Sequence, residues 1–158
     1  MPTYYLDTSA VIKNYHPEPG TQEVRRIVNE PDSQRIISRL TVTEVQRAFA
    51  RRARQKTITA DELKRLRGIL YKDLLERRFR IERLREFHYH TAVRVFLKYW
   101  PQEQVALLRT ADAIQLAAAL SLRDRHGLDY FVSADKDLCA TAEAEQLKVI
   151  NPEQSTKS

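Results

Sequence analysis

Short β-prone apolar runs alternate with longer stretches of helical apolar spacing from one end of this 158-residue chain to the other, which leaves few architectures open. Tyr4-Tyr5-Leu6 is the first run and stops at Asp7-Thr8-Ser9. Helical stretches follow from Ala10 to Tyr15, ending before Pro17, and from Thr21 to Asn29, ending before Pro31. Arg35-Ile36-Ile37-Ser38 reads as a second strand. From about Thr41 to Lys56, Val42, Val45, Phe49 and Ala53 share one helix face. Thr59-Ala60-Asp61-Glu62 fits a capping box opening a helix with Leu63, Leu66, Leu70 and Leu74 at helical spacing. Only Thr57-Ile58 separates these two helices, so an antiparallel hairpin is expected. Phe79 to Glu82 reads as a short strand and Glu86 to Tyr99 as a helix. Thr110 is the expected cap of a helix from Ala111 to Leu122, apolar almost all round and therefore buried. Asp129 to Ser133 is a strand, Lys136 to Gln146 a helix, and Lys148-Val149-Ile150 a last strand. The alternation predicts an α/β domain with a mainly parallel sheet. One domain over 1–151 is expected, followed by a polar, disordered tail over 152–158.

In open parallel sheets ligands bind beyond the carboxyl ends of the strands, which directs attention to four acids. Asp7 follows the first strand, and Asp135 follows the strand ending at Ser133. Glu44 is expected in the first turn of the helix after the second strand, Asp112 in the first turn of the buried Ala-rich helix. Each alone has an ordinary structural role, since acids favour the positive end of a helix dipole and aspartates close strands in Asx-turns. Together they would repel at one sheet edge unless something positive sat among them. Mg²⁺ accepts oxygen ligands and keeps several waters, so a few carboxylates suffice to hold it. Such a cluster serves phosphodiester hydrolysis, where a metal activates water and offsets phosphate charge. His88 and His90 do not match the spacing of a zinc site and are expected on the surface or against a partner.

The net charge is +6, and Arg51-Arg52-Ala53-Arg54 and Arg77, Arg78, Arg80, Arg83 and Arg85 form clusters. Basic surface attracts nucleic acid without regard to sequence, although arginine-rich helix faces are also often merely solvated. The single cysteine, Cys139, excludes an internal disulfide and reads as a small apolar helix residue. No apolar run is long enough to span a membrane, and Met1 to Asp7 does not read as a signal peptide. A cytoplasmic protein is expected.

Leu6-Asp7-Thr8-Ser9-Ala10, Thr43-Glu44-Val45, Thr110-Ala111-Asp112-Ala113-Ile114-Gln115-Leu116-Ala117 and Val132-Ser133-Ala134-Asp135-Lys136-Asp137-Leu138 occur in this order. The set resembles the PIN-domain family, and within it the VapC-like toxins of prokaryotic toxin–antitoxin pairs, over about Tyr4 to Ile150. The resemblance implies a Rossmann-like α/β/α sandwich with a protruding helical hairpin, and an endoribonuclease dependent on Mg²⁺ or Mn²⁺. It also implies a homodimer acting on tRNA, rRNA or mRNA and inhibited by a small cognate antitoxin. Asp7, Glu44, Asp112 and Asp135 match the family's acidic metal-binding set, with Ser9 and Ser133 at supporting hydroxyl positions. Gln115 stands where many relatives have histidine. The hairpin from Thr41 to Arg77 is the expected antitoxin clamp.

Two other readings share the fold: a PIN nuclease of RNA maturation, and a non-catalytic RNA-binding PIN-like module that would not need the acids. A receiver domain requires its key aspartate at a middle strand end and a lysine after the last strand, a pattern that Asp112, inside a helix's first turn, does not match.

Overall fold

The computed structural model describes residues 1–154. Among these residues, five strands form one sheet: β1 (Thr3–Leu6), β2 (Gln34–Ser38), β3 (Arg80–Glu82), β4 (Tyr130–Val132) and β5 (Val149–Ile150). Seven helices accompany them: α1 (Thr8–Tyr15), α2 (Thr21–Val28), α3 (Arg39–Arg54), α4 (Ala60–Leu75), α5 (Glu86–Tyr99), α6 (Thr110–His126) and α7 (Lys136–Ala144). The strand order is β3-β2-β1-β4-β5, and every pairing is parallel.

Because side chains alternate along a strand, the sheet serves two cores. Tyr4, Leu6, Ile37 and Val132 pack with α1, α2, α3 and α4. Tyr5, Ile36 and Phe131 pack with α5, α6 and α7. Cross-strand rings bind β1 to β4: Tyr4 stacks on Tyr130 at 5.3 Å and Tyr5 on Phe131 at 5.8 Å. On α6, Ala113, Ala117, Ala118 and Ala119 are fully buried, and these small side chains let the helix lie close to the sheet. The hairpin of α3 and α4 contributes Phe49, Ile58, Leu66 and Leu70 to the first core and leaves Tyr71 and Leu75 exposed. Thr59 and Glu62 form the capping box at its second helix.

The chain passes from β1 outward through β2 to β3, then returns to place β4 on the other side of β1. That reversal is the topological switch point, where the connections leaving neighbouring strands diverge and open a crevice. Leu6 pairs with Val132 there, and the Asp7 N–H donates to the Val132 carbonyl at 3.1 Å.

Several sequence expectations need correction. Ser38, the last residue of β2, caps α3 directly by accepting from the Thr41 N–H at 3.1 Å. The helix therefore starts at Arg39, and Glu44 falls in its second turn, not its first. Arg109, not Thr110, is the N-cap of α6, and its side chain makes no cap bond. Pro152 is buried and the Glu153 carboxylate lies 2.7 Å from Lys13 Nζ, so the expected tail begins as a docked segment. Residues 155–158 of that tail lie outside the described residues.

His90 is exposed beside Glu86, but His88 is fully buried, contrary to the surface or partner-facing position expected for both. Its Nδ1 accepts the Arg85 N–H at 2.9 Å, which closes the first turn of α5 and places the ring proton on Nε2. Burial depresses the His88 pKa; Glu82 opposes this, and the Arg125 and Arg85 charges add to it. Below an ordinary histidine pKa of about 6.5, the unfolded chain takes up a proton that the folded chain refuses. This contribution is thus fully present above that pH and lost on acidification. His88→Asn, whose Oδ1 can still accept from Arg85, should flatten the fall in Tm between pH 7 and pH 5 relative to the parent. Identical slopes in the two proteins would contradict it.

Candidate active site

The chain just beyond β1, the starts of α1 and α6, the N-cap of α7 and the second and later turns of α3 surround one cavity of about 270 Å³. All four acids singled out in the sequence line it, together with Thr8, Ser9, Gln115, Arg47, Arg51, Arg52 and Arg109.

Asp7 is the deepest, 3% exposed. It caps α1, where its Oδ1 accepts from the Ala10 N–H at 3.0 Å and from Ser9 Oγ at 2.7 Å. Its Oδ2 accepts from Ser133 Oγ at 2.8 Å. Ser9 in turn accepts from the Ala134 N–H, and Ser133 from the Asp135 N–H, so both serine hydroxyls tie the end of β1 to the loop after β4. Burial pushes the Asp7 carboxyl up to about 7, against the three donated hydrogen bonds, with the charge of Asp112 adding to the rise. Asp135 caps α7 by accepting from the Leu138 N–H at 2.9 Å.

Asp112 is likewise raised by burial, with Arg109 opposing and Asp135 and Glu44 reinforcing. The Arg109 guanidinium lies 3.1 Å from Asp112 and 3.8 Å from Asp135, and is the cation that these acids share. Its side chain is 81% exposed, so it is held weakly and can be displaced.

Among the described residues no three acidic, imidazole or thiolate groups stand close enough to hold a metal ion as they are placed. The donors are nonetheless all carboxylate and hydroxyl oxygens, with no buried imidazole or thiolate lining the cavity. That set fits a hard divalent cation such as Mg²⁺ or Mn²⁺ and not zinc. Cys139 faces away from this chemistry: its thiol contacts the Ser133 carbonyl, and burial pushes its pKa up to about 12.

Three features were not placed in the site by the sequence. Gln115 is 1% exposed and hydrogen-bonds to five side chains, including Glu44. The signal for it was a polar residue one turn after Asp112 on an otherwise apolar helix. Arg47 and Arg51 follow Glu44 at i+3 and i+7, which puts all three on the cavity side of α3. Arg109 preceded an expected helix start and looked like loop.

The sequence model of the PIN domain family matches residues 4–144. No curated protein matches the chain. Among solved structures, FitAB bound to a DNA fragment is similar at a TM-score of 0.68 and 17% identity, covering 96% of each chain. DNA-bound VapBC of Salmonella typhimurium is similar at 0.64 and 14% identity, covering 95% of this chain and 98% of the other. The VapC20 toxin of Mycobacterium tuberculosis, which cleaves the sarcin-ricin loop, is similar at 0.60 and 16% identity, covering 87% and 93%. At these identities the likeness is one of fold.

Proposed function

This chain belongs to the PIN-domain family, and on that premise we propose that it is a metal-dependent endoribonuclease, the toxin of a type II toxin–antitoxin pair. The observation that carries this reading is the convergence of Asp7, Glu44, Asp112 and Asp135 on one cavity at the switch point of the sheet, under a wall of arginines.

Those four residues would hold Mg²⁺ or Mn²⁺, which when bound supplies an activated water and offsets the charge of the phosphate. Ser9 and Ser133 keep both oxygens of Asp7 oriented. Arg47 and Arg51 hold the RNA: among the described residues neither has an ion-pair partner, while Arg52 is engaged by Glu18 at 3.0 Å. Being one helical turn apart on an exposed face, they can grip successive phosphates without reading bases.

The antitoxin partner is supported by the fold shared with solved toxin–antitoxin complexes. The exposed Tyr71 and Leu75 on α4 and the groove beside them, lined by Val42, Gln46 and Ile81, support the hairpin as the clamp. The exposed stripe of Tyr89, Val93 and Leu97 on α5, continued by its C-cap Trp100, supports a homodimer. Among the described residues no helix is long and apolar enough to cross a membrane, and the reading places the protein in the cytoplasm with its RNA.

The test is incubation of antitoxin-free protein with tRNA and rRNA in Mg²⁺, in Mn²⁺ and in EDTA. Discrete fragments that require metal support the reading; metal-independent or nonspecific degradation counts against it. The arginine assignment has its own measurement. In EDTA, the double variant Arg47→Ala/Arg51→Ala should bind RNA roughly 10- to 100-fold more weakly, since two charge-assisted contacts are lost. The slope of log affinity against log salt should shallow by about 1.4, at about 0.7 per phosphate contact on single strands. An unchanged slope would remove these residues from the RNA path.

A further inference from the structure

We propose that Gln115 is a positioning residue for Glu44, tying down one oxygen of its carboxylate so that the other is presented to the cavity. The inference rests on the metal-nuclease reading and adds a residue to it.

The geometry is that of a side chain with one permitted orientation. The Gln115 carbonyl oxygen accepts from Tyr5 Oη at 2.5 Å and from Ser38 Oγ at 3.1 Å. Thr41 Oγ1 reaches both ends of the amide, at 3.1 Å from its oxygen and 2.9 Å from its nitrogen. The amide nitrogen donates to Glu44 Oε1 at 2.9 Å and lies 3.1 Å from Thr8 Oγ1. Hydroxyls accept and donate equally well, so they do not choose between the two amide orientations; the carboxylate does. With the amide turned over, its oxygen would face Glu44 Oε1 with no proton between them.

The network therefore transmits position from the frame to the site. Tyr5 lies on β1, Ser38 ends β2, Thr41 opens α3 and Thr8 opens α1, so Gln115 is anchored by four elements that meet at the switch point. Thr8 Oγ1 adds a second donor to the same Glu44 oxygen, at 2.7 Å. Oε1 is thereby saturated, and among the described residues Oε2 has no hydrogen-bond partner. Glu44 enters the site with one oxygen available and its torsion fixed. Without the amide, only the rotatable Thr8 hydroxyl would restrain a glutamate with three side-chain torsions, and Thr8 would itself lose its contact to Gln115. Outer groups that orient a ligand typically contribute 10- to 100-fold in metal affinity.

The test is Mn²⁺ binding to the metal-free full-length protein, read by the electron paramagnetic resonance signal of free Mn²⁺. Gln115→Glu preserves size and the acceptors for Tyr5, Ser38 and Thr41, but sets an oxygen against Glu44 where the N–H stood. Gln115→Met, close in volume, removes the donor without adding charge and decides the matter if the glutamate variant does not fold. Gln115→His retains one ring N–H and one ring acceptor. We expect Mn²⁺ affinity to fall at least about 10-fold in the Glu and Met variants. The His variant should stay within about 3-fold, and RNA binding in EDTA should hold at the parent level in the uncharged Met variant. That pattern separates positioning from general loosening, which would weaken RNA binding as well. A folded Glu or Met variant with parental Mn²⁺ affinity overturns the role of Gln115 and leaves the nuclease reading standing. Parent protein that binds Mn²⁺ no better than Asp7→Asn overturns the reading itself.

Discussion

Asp7→Asn is expected to abolish RNA cleavage and, in EDTA, to yield a more stable protein than the parent. The loss follows from the central place of this carboxylate. Removing one charged oxygen ligand takes away several kcal/mol of charge stabilisation, which at 1.36 kcal/mol per tenfold is on the order of 10³-fold in rate. The gain follows from what the parent chain tolerates: an anion 3% exposed, beside Asp112, with hydrogen bonds but, among the described residues, no cation of its own. Asparagine keeps an oxygen for Ser9 and Ala10 and can donate to Ser133, so the neutral side chain fits the same three partners. The Asp7 carboxyl titrates at about 7, well above its ordinary 3.8. Its stabilising protonated form is complete at pH 4 and is lost as the pH rises through 7. The advantage of the variant should therefore be absent near pH 4 and reach roughly 4 kcal/mol at pH 8, or about 8–16 °C in Tm for a chain of this size. Added Mg²⁺ should then raise the Tm of the parent and not that of the variant. A variant that still cleaves RNA would remove Asp7 from the site, and one that is inactive but destabilised at pH 8 would show that its charge is not what the fold resists.

The alternation of strands and helices, the parallel sheet and the four acids were legible because each rests on local pattern. Asp7 directly follows an apolar run and Asp135 comes three residues after one, and both turned out to be helix caps just beyond a strand. What was not legible depends on how elements meet. Gln115 looked like a departure from a family pattern, and its importance comes from Tyr5, Ser38 and Glu44, residues 71 to 110 positions away. His88 was expected at the surface because its spacing to His90 fits no metal site, and only the packing of α5 on α6 shows that it is buried. Glu44 was displaced by one turn because Ser38 serves both as the end of a strand and as a helix cap, a double use that spacing alone does not signal. The same closeness brings the site together: with no loop between β2 and α3, Glu44 and Arg47 have little freedom to leave the sheet edge.

Phe49→Ala should cost the fold a large share of its stability, and it probes how the fold holds one wall of the cavity. Phe49 is fully buried on the apolar face of α3 with Val42 and Val45, and its ring meets Tyr15 edge-on at 5.9 Å and 80°. Truncating a buried phenylalanine costs about 3–5 kcal/mol, against a total of roughly 5–15 kcal/mol for a domain. The Tm should fall by about 6–20 °C, because Ile58, Leu66 and Leu70 of the hairpin lose the surface that holds them to the first core. The opposite side of the same helix carries Glu44, Arg47 and Arg51 into the cavity, so stability and metal binding are linked through α3. A metal that binds only the folded chain adds about 2.7 kcal/mol at 100 times its Kd. Mg²⁺ at that level should therefore recover more than half of the loss in Phe49→Ala and none of it in Phe49→Ala/Asp7→Asn, as read by thermal melts with and without EDTA. Equal rescue of both proteins would mean that the ion acts elsewhere on the surface. A Tm within about 3 °C of the parent would mean that α3 is held by contacts other than this ring.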